Sequence, residues 1–470
     1  MLGYYSKRIA HSLRDWYHCR VRWRGMPQAR LIGELSLGNW GGCQLFIEDI
    51  NGDGAAELLW LQSAGIFKSR VFADVPGEHQ EYFRTLGQDF FCLTATRQSG
   101  EILWQIGEPY AGDHPYLSHA PERMVRCADV DGDGRKEVLV LDGSDQLLVL
   151  DGVSGRQKAS VRLPADNFSV VECGRTGPNP DDVRILVGVM DRGYPPHSYG
   201  NPWLFLDGSL QTVHQADYLG AGHQVAIADV DGDGADEFLI GYQLVDHLGQ
   251  VLWTLDHWRD RPIEPAQQHV DHVETCRIDG QWHAAVAGGD RQYWIDSSGQ
   301  TIWSHPLPHP QFCLIGRSGS GTRVFVFNQR DQMNAFDLAG TETWRGLLPE
   351  NWPVRRPPLA FSGRPIHSNE PATLLKAEGD GQVDLILYKE GGWPFVVDFQ
   401  GRPVCTLPVT ENVRRPTATI PYRRINDIGL SFEGNAFDLD GDGLPEVLIH
   451  DRSHLWVYHL DGELFERCPP

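Results

Sequence analysis

The sequence predicts an all-β chain closed into a single β-propeller of four-stranded antiparallel blades, eight in number, with seven as the alternative. Three observations predict it. An acidic, glycine-rich loop recurs four times with one internal spacing. Each copy is flanked by short apolar runs of strand length. The same four-run unit can be traced through stretches that lack the acidic loop, at periods of roughly 40 to 80 residues, the range of blades that carry insertions.

The loops come first. They are Asp49-Ile-Asn51-Gly-Asp53-Gly-Ala-Ala-Glu57, Asp129-Val-Asp131-Gly-Asp133-Gly-Arg-Lys-Glu137, Asp229-Val-Asp231-Gly-Asp233-Gly-Ala-Asp-Glu237 and Asp438-Leu-Asp440-Gly-Asp442-Gly-Leu-Pro-Glu446. Short oxygen ligands alternate on a backbone that glycine lets turn sharply, which suits a hard cation; bound structural Ca2+ is expected. A helix–loop–helix calcium site would need Glu at loop position 12. Trp60, Val140, Ile240 and Ile449 stand there, and the flanking runs read as strands.

Around each loop one run enters, an apolar run leaves, a third ends in an Asp-Gly turn and a fourth often carries Trp. In the second unit these are VRCADV, EVLVLDG, QLLVLDG and QKASVRL. Residues 41–470 are read as the propeller, and residues 1–40 as an N-terminal cap or closing segment. Five cysteines (Cys43, Cys127, Cys173, Cys276 and Cys313) recur in first strands. They read as reduced, buried thiols near the axis.

The 470 residues include 51 Gly and 15 Trp and carry a formal net charge of -22, which argues against binding a phosphate backbone. No apolar run approaches the ~20 residues of a membrane span. The first residues carry no secretory signal, so the chain reads as cytoplasmic as it stands, and as secreted or periplasmic if a leader has been removed.

In a blade, the acidic loop joins strands one and two on one face. Long insertions fall on the other face, after second strands and between blades, so that face is expected to bind. Residues before first strands should ring the channel mouth there: His119, His223, His269, His272, His309 and His367. Residues after second strands should converge on it: Asp191, Arg192, Tyr194, His197, Tyr199, Tyr242, Asp290, Arg291, Arg330, Asp451 and Arg452. The repeated Asp-Arg pairs serve equally well as inter-blade bridges. A metal held by the pair His269 and His272 is disfavoured, because residues three apart on a strand face opposite ways.

The strand and loop pattern resembles FG-GAP, integrin-like propellers over nearly the whole chain. Within that architecture it is similar to propeller polysaccharide lyases acting on rhamnogalacturonan, ulvan or rhamnose–glucuronate linkages. The resemblance implies a lyase that cleaves a rhamnose-rich, uronic-acid-containing glycan by β-elimination at the channel mouth, with an acidic polysaccharide or oligosaccharide as partner. The alternative is a non-catalytic carbohydrate- or protein-binding calcium propeller. β-Elimination needs a neutraliser for the uronate carboxylate, a base for the C5 proton and an acid for the leaving oxygen. Arg192 or Arg291 is read as the neutraliser. Tyr199, Tyr242 or His223 is read as the base and a second histidine as the acid, with His197 among the catalytic candidates. Tyr194, His119, His269, His272, His309 and Arg330 are read as substrate-binding. Trp40, Trp203 and Trp258 offer either sugar-stacking or core surfaces.

Overall fold

A computed structural model describes residues 27–41, 44–63, 91–110, 123–177, 179, 182–190, 193–265, 267–328, 332–347, 372–378, 382–388, 395–407, 433–450 and 453–466. The described strands form eight four-stranded antiparallel sheets arranged as a ring. Blades 1 to 7 take their strands in chain order and begin at Gln44–Glu48, Val125–Ala128, Val170–Arg175, Val225–Ala228, Val270–Ile278, Pro310–Ser318 and Ala372–Leu375. Blade 8 takes three strands from the chain's last part, Glu433–Phe437, Glu446–His450 and His454–His459. Its outer strand comes from the start of the described chain, Arg30–Ser36 paired antiparallel with His454–His459. One sheet therefore fastens both ends of the described chain, and the first strand of blade 8 meets that of blade 1.

Second strands lie inside the sheets and are buried along their length, as in Glu57–Ser63, Glu137–Leu141 and Glu446–His450. Their near-continuous apolar runs follow from being covered on both faces by neighbouring blades. Salt bridges add ties between blades near the acidic loops. Lys136 meets Glu48 at 2.5 Å. The Arg175 backbone N–H donates to Asp236 at 2.7 Å, and the Arg317 backbone N–H and guanidinium both donate to the buried Asp384.

The outer rim explains two recurring sequence features together. Asp207, Asp246, Asp296, Asp337 and Asp398 each accept backbone N–H groups two and four residues ahead, which folds the turn between strands three and four. In four of these turns, and in a matching turn of blade 2, a positive-φ glycine lies against a ring from the preceding blade. Gly155 covers Trp104, Gly249 His214, Gly299 Trp253, Gly340 Trp303 and Gly401 Trp344; an added Cβ would come within 2.2–2.6 Å of the ring at four of them and 2.7 Å at Gly340. The indole N–H groups of Trp104, Trp253 and Trp303 donate across the joint to carbonyls of Gly152, Ser297 and Leu338 at 2.8, 2.9 and 3.1 Å. The fourth-strand Trp and the Asp-x-x-Gly turn are thus two halves of one inter-blade lock.

This lock is testable with two glycines of similar backbone. Gly280 has φ +79° and open space within 4 Å of where a Cβ would stand, whereas Gly340 has φ +82° with Trp303 in the way. Gly280→Ala should cost about 1–2 kcal/mol, the left-handed backbone penalty alone. Gly340→Ala should cost roughly 2–4 kcal/mol, because displacement of the indole adds to that penalty. Urea unfolding measures both, and equal losses would contradict the lock.

Candidate functional site

The four acidic loops share one geometry. Loop position 1 accepts the backbone N–H groups of both glycines, as Asp129 does from Gly132 and Gly134 at 2.8 and 2.9 Å. The Glu at position 9 accepts the N–H of position 2: Ile50, Val130, Val230 and Leu439 donate to Glu57, Glu137, Glu237 and Glu446 at 2.8–3.1 Å. In blades 2, 4 and 8 the carboxylates Asp129/Asp131/Glu137, Asp229/Asp231/Glu237 and Asp438/Asp440/Glu446 each offer oxygens within 4.8 Å of one another. Such oxygen sets suit a hard cation. Burial raises the Glu237 carboxyl above its ordinary range, and Asp231, Asp233 and Asp229 add to the rise against the Val230 hydrogen bond.

Antiparallel pairing puts the starts of first strands at the opposite end of the blade from these loops. A different cluster forms there. Tyr199 comes from the insertion of blade 3, His223 from the approach to blade 4, His269 and Asp271 from the start of blade 5, and His309 and Gln311 from the start of blade 6. Backbone bonds fix these approaches: the His223 N–H donates to Val270 O at 3.1 Å, and the Gly289 N–H to His269 O at 2.9 Å. The first strands of blades 5 and 6 each carry a bulge, between Val270 and His272 and between Pro310 and Phe312. The residues skipped in the ladder are Asp271 and Gln311, and the bulges turn them to meet, Gln311 Nε2 donating to Asp271 Oδ1 at 2.8 Å. His309 holds a left-handed backbone, φ +51°, uncommon outside glycine.

Asp271 is fully buried, with three imidazoles around it. His269 Nε2 lies 3.3 Å and His223 Nε2 3.5 Å from Oδ1, and His309 Nε2 lies 3.3 Å from Oδ2. Tyr199 OH lies 3.2 Å from His223 Nε2, and its ring packs at 4.4 Å on His269. Burial opposes ionisation of Asp271, but the neighbouring charges of His269 and His309 prevail and hold its carboxyl well below the usual carboxylate range. His269 Nδ1 faces Pro265 O at 3.2 Å. A proton donated there leaves the Nε2 lone pair pointing at a carboxylate, an arrangement that calls for a second proton or a cation. In keeping with this, His269 Nε2 and Asp271 Oδ2 are buried with no aligned hydrogen bond. His223, His269 and Asp271 offer ligand atoms within 4.8 Å of one another, so this group could hold a metal ion. Two imidazoles and one carboxylate suit a borderline ion such as zinc better than calcium.

Of the residues expected at the mouth, Tyr199, His223, His269 and His309 meet. Asp271 and Gln311 were not anticipated. His272 lies inside the first strand rather than before it and points away; its ring packs 3.9 Å from Phe312, with Cys313 Sγ 3.5 Å from Nδ1, and burial holds its pKa well below the ordinary value. Tyr242 stays out of the group, buried in the core and stacked on Trp258 at 4.9 Å, and burial raises its phenol well above 10. His197 makes a separate pair with Asp217 at 2.6 Å, and Tyr194 packs edge-on to it. Arg291 donates to Ser304 at 3.2 Å within its own blade. Trp40, Trp203 and Trp258 are all buried. Cys127, Cys173, Cys276 and Cys313 are free thiols on first strands. His119, Asp191, Arg192, Arg330, His367, Asp451, Arg452 and Cys43 lie outside the described residues.

No family model matches the chain. Part of it is similar to two curated proteins of Bacillus subtilis (strain 168). Rhamnogalacturonan endolyase YesW is 26% identical over 259 residues, 44% of this chain and 38% of that protein. Rhamnogalacturonan exolyase YesX is 26% identical over 260 residues, 44% of this chain and 39% of that protein. The match therefore spans well under half of either relative. Solved structures extend the likeness of fold to nearly the whole chain. The exotype rhamnogalacturonan lyase YesX superposes with TM-score 0.54 at 16% identity, covering 93% of this chain and 75% of the other. The Bacillus licheniformis rhamnogalacturonan lyase PL11 gives 0.55 at 16%, covering 94% and 76%. BamB from Moraxella catarrhalis gives 0.51 at 12%, covering 92% and 97%, so the fold is shared more widely than among lyases.

Cobalt(II) reports directly on the histidine group. Titration should produce visible d–d absorption that His223→Ala and His269→Ala both lose while remaining folded by circular dichroism. A wild-type spectrum without that absorption, or one that persists in both variants, would contradict the assignment.

Proposed function

We propose that this chain is a polysaccharide lyase that cleaves a rhamnose-rich, uronic-acid-containing glycan by β-elimination at the histidine-lined mouth. The observation that carries the reading is the convergence of Tyr199, His223, His269 and His309 from four blades on the buried Asp271. The similarity to rhamnogalacturonan lyases supports it. The acidic loops, at the other end of the blades, are read as structural calcium sites.

His223, His269 and Asp271 form a buried floor, whereas Tyr199 and His309 are partly exposed and within reach of a bound sugar. A cation held by the floor residues would draw charge from the uronate carboxylate and acidify the C5 proton. Tyr199, oriented by His223, is the base that takes this proton. As the C4–C5 double bond forms and the C4–O bond breaks, His309 gives a proton to the departing oxygen. Asp271 sustains the protonated imidazole, and an unperturbed histidine already titrates near neutrality. A planar guanidinium is the alternative carboxylate partner. Arg192 is the candidate on the blade 3 insertion, in keeping with the bidentate match between Arg and carboxylate.

Incubation with a panel of uronate polysaccharides, rhamnogalacturonan included, should release products with the ultraviolet absorbance of an unsaturated uronate. Tyr199→Phe and His309→Ala should each lower turnover about 100-fold or more. His197→Ala should retain most of it. Binding of a glycan without product formation, or full activity in both variants, would leave the binding-platform reading in its place.

A further inference from the structure

The outer strand of every blade has a bulge at the same register. The skipped residues are Ile32, Leu103, Lys158, Val213, Leu252, Ile302, Thr343 and Val404. Seven are apolar or Thr, and only blade 2 places a charge there. Lys158 does not extend into solvent. Its ammonium reaches back across the blade to the acidic loop, where it bonds Asp131 and lies 2.7 Å from Glu137 Oε1. Its side chain is only 23% exposed and that of Glu137 2%.

Asp131 and Glu137 are loop positions 3 and 9, two of the carboxylates that would hold a cation in this loop. An ammonium bonded to both occupies the place where a divalent ion would sit. Arg135 of the same loop adds a second positive charge, its guanidinium 2.9 Å from Asp133. The other loops differ. In blade 1 the amide of Asn51 donates to Glu57 at 2.6 Å, and in blade 8 His459 Nδ1 lies 3.2 Å from Glu446. In blade 4 the Arg277 guanidinium donates to the backbone carbonyl of Asp229, but among the described residues no Lys, Arg or His side chain pairs with the carboxylates of Asp229, Asp231, Asp233 or Glu237, and Leu252 stands where blade 2 has Lys158.

We propose that the blade 2 loop carries its own cation, Lys158, and binds no divalent ion, while the blade 4 loop remains a divalent site. The inference rests on the reading of the acidic loops as cation sites. It assigns their occupancy blade by blade. A tethered ammonium is always at hand, so blade 2 keeps its loop folded whatever the surrounding calcium, and chelation acts on the other loops.

The experiment counts calcium bound per chain by equilibrium dialysis with elemental analysis, on the full chain and four variants. Asp229→Asn should lose one ion, and Asp131→Asn should lose none. Lys158→Met should gain one, and Lys158→Met combined with Asp131→Asn should return to the wild-type count. The proposal is overturned if Asp131→Asn alone loses an ion or if Lys158→Met gains none. An unchanged count in Asp229→Asn would overturn the blade 4 assignment and the cation reading of the loops, separately from the role of Lys158. Circular dichroism confirms that each counted variant is folded.

Discussion

A four-stranded blade has two apolar faces and can cover neither by itself, so each sheet depends on the blade beside it. The joint that meets this need at the rim is the contact between an outer-strand aromatic ring and the positive-φ glycine of the next blade's turn. Trp104 with Gly155, Trp253 with Gly299 and Trp303 with Gly340 show it in full, with the ring packed on a Cα that has no Cβ and the indole N–H donating to a carbonyl. Closer to the axis, ion pairs such as Arg317 with Asp384 repeat the linkage at the loop end. Last, Arg30–Ser36 joins blade 8 and closes the ring. Each joint is local, but among the described residues it recurs at five of the eight blade-to-blade steps.

The packing of successive blades is what allows four of them to place side chains around one carboxylate. Asp271 could not remain ionised and buried on one blade alone. It does so because His223, His269 and His309 arrive from three successive blade approaches and Gln311 from the following first strand. Paired bulges make the geometry possible, each turning one residue out of the regular alternation of its strand. The two ends of the propeller thus carry different chemistry. Oxygen-only loops favour hard cations at one end, and a mixed nitrogen and oxygen group suits borderline ions and proton transfer at the other.

The fold was legible because its signals are short and local. The acidic loops, the Asp-x-x-Gly turns and the fourth-strand Trp sit at fixed spacings, and each has a physical function within a few residues of itself or in the adjoining blade. The gathering of His223, His269 and His309 at one end of the blades was legible too, since chain direction alone places them there. The centre of the site was not. Simple alternation pairs His269 with a residue two positions on, but nothing in the sequence announces that the ladder skips Asp271 and sends His272 towards Phe312 and Cys313. Tyr199 and Tyr242 look alike as tyrosines beyond second strands. Only packing on Trp258 separates the buried one from the one at the mouth. Lys158 reads as an ordinary surface lysine until the bulge that turns it towards Asp131 is seen.

Under the proposed function the histidine-lined end of the propeller, and not the acidic-loop end, receives a uronate glycan. A crystal structure of the Tyr199→Phe variant soaked with a rhamnogalacturonan oligosaccharide tests this most directly. Sugar density is expected over the substituted ring and His309, with a uronate carboxylate directed at the floor formed by His223, His269 and Asp271. Ordered sugar confined to the acidic-loop face, or a mouth that stays empty while the soaked oligosaccharide binds elsewhere, would contradict it.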